Sequence, residues 1–169
     1  MKAALLVFAL ATVAWPQNPN AFPSSCGDGT NFKVKLQSAP PAQVLPPAGK
    51  AQVVFIHDTG DVSGSGLLWY PTSRYALDGA WAGANHGSSW FAVPIAPGEH
   101  HVCTDLQTSV AGQRTELAHF TAVAGQTYYF RTRLILSRAV ELLDLEQIDS
   151  DQGAYLTRIY LLSIATAKK

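Results

Sequence analysis

Apolar and polar residues alternate along much of this chain, a pattern typical of β-strands that bury one face. The segment NFKVKLQ, from Asn31 to Gln37, alternates three apolar side chains with two lysines and a glutamine, so it predicts a strand with one face in water. The segment AQVVFIH, from Ala51 to His57, predicts a strongly apolar strand. Between them, Ser38 to Gly49 contains four prolines, which oppose a helix or a strand ladder. We expect an extended connector there that crosses from one sheet to the other.

Three glycine turns divide the middle of the chain into predicted β-hairpins. In SWFAVPIAPGEHHVCTDL, from Ser89 to Leu106, Pro97-Gly98 separates two arms and suits a type II turn, because proline fixes φ before glycine adopts positive φ. Asp78-Gly79 lies between the alternating runs 74–77 and 80–84, which is the strongest short-range hairpin signal. Ala124-Gly125 separates the runs 115–123 and 126–136 and predicts another hairpin.

The segment from Ala139 to Ile148 is predicted to be a strand. Its alternation slips in phase at Leu142-Leu143, which indicates a bulge or, as the less favoured interpretation, a helical turn. The segment from Leu161 to Thr166 is predicted to be the last strand and to lie at a sheet edge.

A short helix is predicted between these two strands. The acidic residues of Asp149-Ser150-Asp151 can cap its N-terminus, and the helix runs from Gln152 to about Arg158. Its apolar residues Tyr155, Leu156 and Ile159 are expected to dock on the sheet.

About eight short strands with turns every 8 to 12 residues indicate an all-β fold, an antiparallel β-sandwich of Ig-like or transthyretin-like type with one short C-terminal helix. Charged residues make up only 14% of the 169 residues, against about 25% in ordinary domains. We expect one domain, in which residues 22–49 supply an N-terminal strand and the Pro-rich connector and residues 50–169 form the sandwich.

Residues 1–21 are predicted to be a secretory signal peptide. One lysine precedes an apolar run from Ala3 to Ala14 that ends in small residues, and the run is too short for a membrane span. Cleavage is expected after Ala14 or after Ala21. A lipoprotein is disfavoured because Cys26 lies far from the apolar run. The mature protein is therefore predicted to be periplasmic or secreted, with no membrane span.

Cys26 and Cys103 are the only cysteines of the chain. Because the compartments outside the cytoplasm are oxidising, we expect a disulfide between them. It would tie the N-terminal segment to the second arm of the central hairpin and would stabilise the fold by roughly 4 to 5 kcal/mol in a chain-entropy estimate. The alternative is two buried thiols, or a free Cys26 in a mobile tail.

The charged residues are spread thinly and balance to a formal net charge of zero. Without a basic run that could follow a phosphate backbone, a nucleic-acid partner is not expected. The expected partner is an unknown protein or another component of the cell envelope.

The five histidines do not form a metal-binding motif in the sequence, and no cofactor or metal is predicted. His100 and His101 are adjacent on one strand and point to opposite faces, so both cannot bind one ion. A metal site would need one of them to meet His57, His86 or His119 through the fold.

Other candidate reactive groups have simpler interpretations. Asp58, Asp61 and Asp78 lie in predicted loops but lack the spacing of an EF-hand, and such residues are common in turns. No serine lies in a GxSxG motif. Glu99 beside His100 is interpreted as a pair that flanks a turn.

Aromatic residues are concentrated between the loop that follows Asp58 and the central hairpin. Some of them are expected in the core, since they occupy alternate strand positions. The remainder would form an exposed interaction surface, because aromatic side chains rimmed by polar groups mark binding sites. The candidates are Trp69, Tyr70, Tyr75, Trp81 and Trp90.

The order of these features resembles the bacterial domain of unknown function 2846 family. The resemblance extends from about Cys26 to the C-terminus and rests on five segments. It implies an exported β domain, and it brings no catalytic residues to this chain. The segments are KAQVVFIHD (50–58), RYALDG (74–79), APGEHHVC (96–103), AGQTYYFRTR (124–133) and DSDQGAYL (149–156).

These observations predict an exported, non-catalytic β-sandwich module for binding or envelope structure. One alternative is a small hydrolase or metal-dependent periplasmic enzyme, which would require His57, His100 or His101 to converge with Asp58 or Glu99. A second alternative is an envelope-associated subunit that adds a partner's strand to an unpaired edge such as LLSIAT, residues 161–166.

Overall fold

The structure is a computed structural model that describes residues 26, 27, 29–38, 45–60, 71–107, 115–137 and 140–168. The predicted signal peptide, residues 1–21, lies outside the described residues, as do Asp61, Trp69 and Tyr70. Within the described ranges, no helix is long and apolar enough to cross a membrane.

Ten strands and one helix account for most of the described residues. They are β1 (Phe32–Gln37), β2 (Ala51–Asp58), β3 (Thr72–Leu77), β4 (Ala80–His86), β5 (Ser89–Ile95), β6 (Gly98–Leu106), β7 (Thr115–Ala122), β8 (Thr127–Ser137), β9 (Val140–Ile148), α1 (Ser150–Ile159) and β10 (Leu161–Ala167).

The strands form two sheets that pack face to face, so the predicted all-β sandwich with one C-terminal helix is confirmed. The larger sheet has the order β1-β10-β5-β2-β8-β9 and the smaller one the order β4-β3-β6-β7. The larger sheet is mixed, because β2 pairs with β8 and β10 pairs with β5 in parallel. The antiparallel alternation expected from the sequence therefore holds for the other pairs only.

The predicted central hairpin, residues 89–106, is wrong. Its first arm, β5, pairs with β2 and β10 in the larger sheet, whereas its second arm, β6, pairs with β3 and β7 in the smaller sheet. Pro97-Gly98 carries the chain from one sheet to the other, with Gly98 at φ 133°. Proline and glycine favour both a hairpin turn within one sheet and a crossing between two sheets. The dipeptide therefore could not indicate which strand each arm would pair with.

The hairpin predicted around Ala124-Gly125 is wrong for the same reason. β7 pairs with β6 in the smaller sheet, and β8 pairs with β2 and β9 in the larger one. The crossing is held by a backbone hydrogen bond of 2.8 Å from the Gly125 amide to the Lys50 carbonyl.

The Asp78-Gly79 hairpin is confirmed, since β3 and β4 pair in antiparallel fashion on either side of it. Asp78 has φ 52° and Gly79 has φ 81°. Two successive residues with positive φ make the type I′ turn that fits the right-handed twist of paired strands.

Two further expectations about sheet position are corrected. The proline-rich connector joins β1 to β2 within the same sheet instead of crossing between sheets. β10 is not an edge strand, because β1 pairs along it from Leu162 to Ala167 and β5 pairs with its first two residues. The edge positions of the larger sheet belong to β1 and β9.

The strand predicted over residues 139–148 is confirmed as β9, and the bulge is absent from its pairing with β8. The register runs from Tyr129 opposite Ile148 to Ser137 opposite Val140 without a shift.

The helix α1 begins as predicted. The Asp149 carboxylate accepts hydrogen bonds of 2.9 Å from the backbone amides of Asp151 and Gln152. The helix docks on the larger sheet through Leu156 and through Gly153, which lies directly against the ring of Tyr129.

The expected docking of Tyr155 and Ile159 is wrong, because these side chains are 57% and 53% exposed. Because Gly153 has no side chain, the helix lies close against the sheet. Leu156, one turn later, is the apolar side chain of the helix that is buried there.

The core between the sheets is built from aromatic rings of both layers. Phe55 of β2 packs against Tyr75 of β3 with ring centroids 4.9 Å apart, and against Phe91 of β5 at 5.2 Å. Phe120 of β7 packs against Phe130 of β8 at 5.1 Å. The contacts of Phe55 with Tyr75 and of Phe120 with Phe130 join the smaller sheet to the larger one.

The predicted disulfide between Cys26 and Cys103 is present. Both cysteines are buried against Ala76 and Trp81 on the outer face of the smaller sheet. The bond therefore fastens the N-terminal segment over β3, β4 and β6.

An ion pair strengthens the same layer. Arg74 donates to both carboxylate oxygens of Asp105, at 2.7 Å and 2.6 Å, and to the Thr30 carbonyl at 2.6 Å. Arg74 and Asp105 are buried. The guanidinium also lies 4.6 Å from the centroid of the Trp81 ring, so one arginine joins the N-terminal segment to two strands.

Replacing both cysteines, Cys26→Ala with Cys103→Ala, is expected to lower the free energy of unfolding by about 4 to 5 kcal/mol, because the bond closes a long loop in the unfolded chain. Urea unfolding of the double variant beside the oxidised wild-type protein measures this difference. A change below about 1 kcal/mol would show that the buried contacts of the N-terminal segment suffice without the bond.

Candidate functional site

Two of the five aromatic residues predicted for an exposed surface are buried instead. Tyr75 is 0% and Trp90 is 4% exposed, so both are core residues. Trp81 is partly buried and packs on the disulfide and on Arg74. Trp69 and Tyr70 lie outside the described residues. Strand alternation explains the correction, because Tyr75 occupies an inward position of β3 and Trp90 lies on the face of β5 that packs near α1.

The histidines lie at two ends of the sandwich. His57 is buried in the larger sheet next to Asp58, whose charge acts on it, whereas His100 binds Asp78 at the other end of the smaller sheet. His101 and Glu99 are exposed on β6. The fold therefore separates His57 and Asp58 from His100, His101 and Glu99.

What the fold does bring together is a group of polar side chains inside the sandwich, which we call the interior polar cluster. Its members come from four strands of both sheets, and each is buried with a polar atom that makes no hydrogen bond of good geometry to another described residue, although the Tyr75 hydroxyl lies close enough to Thr132, Asn85 and Ser73 to interact with them. They are His57 of β2, Ser73 and Tyr75 of β3, Asn85 of β4 and Thr132 of β8.

Strand register explains why these side chains meet. Thr132 pairs with His57 in the parallel ladder between β8 and β2, and paired residues point to the same face of a sheet. Ser73 and Tyr75 are two residues apart, so they share the inward face of β3. Asn85 spans the layers, since its amide donates to the Phe55 carbonyl at 3.0 Å.

The environment shifts the acid–base behaviour of two cluster members. Burial lowers the pKa of His57 from 6.5 to about 4, with the Asp58 charge opposing and His86 assisting the shift. Burial raises the pKa of Tyr75 to about 12, moderated by the nearby side chains of Thr132, Asn85 and Ser73. Both side chains are therefore uncharged near neutral pH and can take part in neutral hydrogen bonds.

A charged group lies on the other face of the larger sheet from the cluster, on the side of α1, at the level where β2 ends. The Asp58 carboxylate accepts hydrogen bonds from the Tyr160 hydroxyl at 2.7 Å and from the Gly60 amide at 3.0 Å. Arg131 lies 3.7 Å from Asp58 and donates to Glu146 at 2.7 Å through Nε. Burial and the contact with Asp58 raise the pKa of Tyr160 above its usual value, so its hydroxyl keeps its proton.

The opposite end of the interior, where β2 begins, is apolar. Side chains there belong to the same packed cluster as Phe55: Ala51, Val53, Ile95, Val102, Phe120 and Ala122. The sandwich is therefore asymmetric along its length, with uncharged polar groups inside one end and hydrocarbon inside the other.

A sequence signal for the interior polar cluster existed. His57 continues the inward series Ala51, Val53 and Phe55 of β2. A polar residue in phase with the core is costly to bury unless it is hydrogen-bonded, and such positions are candidates for function. The sequence could not show that three other strands would contribute at the same level.

A second polar contact fastens the apolar end. His100 places Nδ1 at 2.6 Å from the Asp78 carboxylate and Nε2 at 2.8 Å from the Ala96 carbonyl. Both partners are acceptors, so both ring nitrogens must carry protons for both bonds to form. Burial lowers the pKa of His100, but the two hydrogen bonds and the Asp78 charge outweigh it and raise the pKa above 6.5.

No family model, curated protein or solved structure matches this chain. Across the described ranges, no group of three or more His, Cys, Asp or Glu residues is arranged to hold a metal ion.

The His100 contact predicts a dependence of stability on pH. A pKa raised by folding contributes stability that is full below about pH 6.5 and is lost as the pH rises through the pKa of the folded protein. His57 acts in the opposite direction up to about pH 7.5, because it is still partly protonated in the unfolded chain near its ordinary pKa of 6.5. This contribution is shared by the wild-type protein and a variant of the Asp78–His100 pair, so urea unfolding of both between about pH 6 and pH 9 isolates the loss.

Asp78→Asn serves as the variant for this measurement, because asparagine tolerates the positive φ of this turn position but removes the charge. Its stability is expected to vary less with pH in that window than that of the wild-type protein. Equal slopes for the two proteins would contradict the role of the Asp78–His100 pair.

The unpaired Thr132 hydroxyl predicts that Thr132→Val leaves the free energy of unfolding unchanged or raises it by up to about 1 kcal/mol. Thr104→Val is the matched control: Thr104 is equally buried, but its hydroxyl donates to the Arg74 carbonyl at 2.9 Å. That variant is expected to lose about 1 to 2 kcal/mol. Urea unfolding compares them, and an equal loss in both would show that the Thr132 hydroxyl is engaged in the folded protein.

Proposed function

We propose that the protein is an exported, non-catalytic β-sandwich module that binds a partner at the end of the sandwich that holds the interior polar cluster. The observation that carries this proposal is the convergence at that end of five buried polar side chains from both sheets, each with a polar atom that makes no hydrogen bond of good geometry. Buried polar atoms without partners cost about 1 to 3 kcal/mol each. A fold that keeps several of them together is better explained by a use for them than by stability.

Export is supported by the buried disulfide between Cys26 and Cys103. Disulfides persist in the periplasm and outside the cell and are rare in the cytosol. The predicted signal peptide and the family resemblance point in the same direction, and the resemblance remains a proposal for this chain.

Charged groups on the outer face of the larger sheet lie at the same end of β2. Asp58, Arg131 and Glu146 form a chain of ion pairs and hydrogen bonds there, on the face opposite the cluster, and Glu146 is about a third exposed. A partner seated over the end of β2 would contact these charged groups from outside the sandwich, beside the neutral donors and acceptors of the interior.

A non-catalytic role is supported by how the carboxylates are used. Asp78 binds His100, Asp105 binds Arg74, and Asp58 accepts from Tyr160 and Gly60. Each of these carboxylates fastens one strand or turn to another. A general base needs a histidine or carboxylate within reach of a substrate proton, and these contacts hold the groups in structural pairs.

Strand addition at LLSIAT is not favoured, since β1 and β5 already pair with β10. An envelope subunit that uses this strand would first have to displace β1.

The binding proposal can be tested by site-specific photocrosslinking in the source cells. A benzophenone amino acid replaces His86, which is partly buried at the end of β4 beside the cluster, or Val123, which is 56% exposed at the apolar end. We expect a specific adduct from position 86 that is lost when Thr132→Val and Asn85→Leu are added, and no such adduct from position 123.

Intact mass of the same samples, before and after reduction and alkylation, provides the control for export. We expect a chain that has lost its predicted signal peptide and gains two alkyl groups only after reduction. Equal adducts from both positions would overturn the binding end, whereas two thiols that alkylate without reduction would overturn export.

A further inference from the structure

We propose that His101 and His119 together bind a divalent transition-metal ion of the zinc and copper class on the outer face of the smaller sheet. This site lies at the apolar end of the molecule and on the opposite side of the sheet from the interior polar cluster. It therefore stands or fails independently of the proposed function.

The two imidazoles come from neighbouring strands and lie side by side. His101 of β6 is paired directly with His119 of β7 in the antiparallel register, and their ring centroids are 6.4 Å apart. Both side chains are exposed. Side-chain rotation can therefore bring one nitrogen of each ring to one ion, which requires bonds of about 2.0 to 2.1 Å.

The backbone contacts of His101 show which kind of strand pair this is. Its amide donates to the Asp78 carboxylate at 2.9 Å, and its carbonyl accepts from the Asp78 amide at 2.9 Å. Both backbone groups of one strand residue point to the same side, so those of His101 face Asp78 and not β7. His101 and His119 are therefore a non-hydrogen-bonded pair, the type in which opposite side chains approach most closely.

The position is held rigidly at the β6 side. Cys103, two residues after His101, carries the disulfide, and the adjacent His100 is bound to Asp78 and Ala96. A metal ligand on a fixed strand loses little conformational freedom when it binds. Two imidazoles suit zinc, copper and nickel ions, and water can complete the coordination of an exposed ion.

The sequence showed that a metal site would need histidines from two distant segments, but it did not show which histidines meet. Adjacent His100 and His101 cannot share an ion, so one of them had to meet a distant histidine. The register of β6 with β7 brings His119 opposite His101 and leaves His100 on the inner face beside Phe120, with ring centroids 5.8 Å apart. The sequence analysis predicted no metal, and this proposal departs from that prediction.

Isothermal titration of the exported, disulfide-intact protein with zinc chloride tests the site, with the protein purified without a histidine tag. We expect one saturable ion per chain, and a loss of affinity on the order of tenfold or more in His101→Asn and in His119→Asn, because each removes one of two protein ligands. His86→Asn is the matched control and is expected to keep the wild-type affinity, since His86 contacts Thr72 at the other end of the molecule.

Nuclear magnetic resonance of the imidazole nitrogens gives a readout that does not depend on stability. Zinc is expected to shift the ring signals of His101 and His119 and to leave those of His57 and His100 in place. Unchanged zinc affinity in either single variant, or no saturable binding below a dissociation constant on the order of 1 mM, would overturn the site.

Discussion

The packing of Phe55 against Tyr75 is the contact on which the sandwich depends, because it joins the central strand of the larger sheet to the smaller sheet. Phe55 lies on β2, which pairs with β5 on one side and β8 on the other. Its ring also contacts Phe91 and Phe130. The approach of the layers needs Gly83 of β4, since a Cβ there would lie 2.8 Å from the Phe91 ring. One aromatic cluster thus sets the distance between the sheets and the depth of the interior.

The same contact places polar chemistry inside the molecule. Tyr75 contributes its ring to the aromatic core, while its hydroxyl reaches the level of Thr132, Asn85 and Ser73. The interior polar cluster begins where the aromatic rings end. Burial of the apolar side chains at one end of the interior stabilises the fold. This gain offsets the free-energy cost of burying polar groups at the other end.

Contacts on the smaller sheet hold the N-terminal segment and the β3–β4 turn in place. Arg74 and Asp105 hold the N-terminal segment, the disulfide crosslinks it, and Asp78 joins the β3–β4 turn to His100 and His101. These contacts explain why two adjacent histidines of β6 have different roles on the two faces of the sheet. His100 is oriented inward as a structural link, and His101 is presented to solvent opposite His119. His119, on the edge strand β7, is therefore paired with a residue of β6, the strand that the disulfide and Asp78 hold in place.

The sequence by itself determined what depends on residues close together in the chain. Alternation located the strands, Asp78-Gly79 specified its hairpin, Asp149 capped the helix, and two cysteines in a chain with a predicted signal peptide specified their bond. Only the tertiary structure decided which strands pair, because Pro97-Gly98 and Ala124-Gly125 favour a reversal within one sheet and a crossing between sheets equally well. That choice depends on where buried faces find partners, so it also decided that β10 lies inside the sheet, that Tyr155 and Ile159 stay exposed, and that His57 meets Thr132 while His101 meets His119.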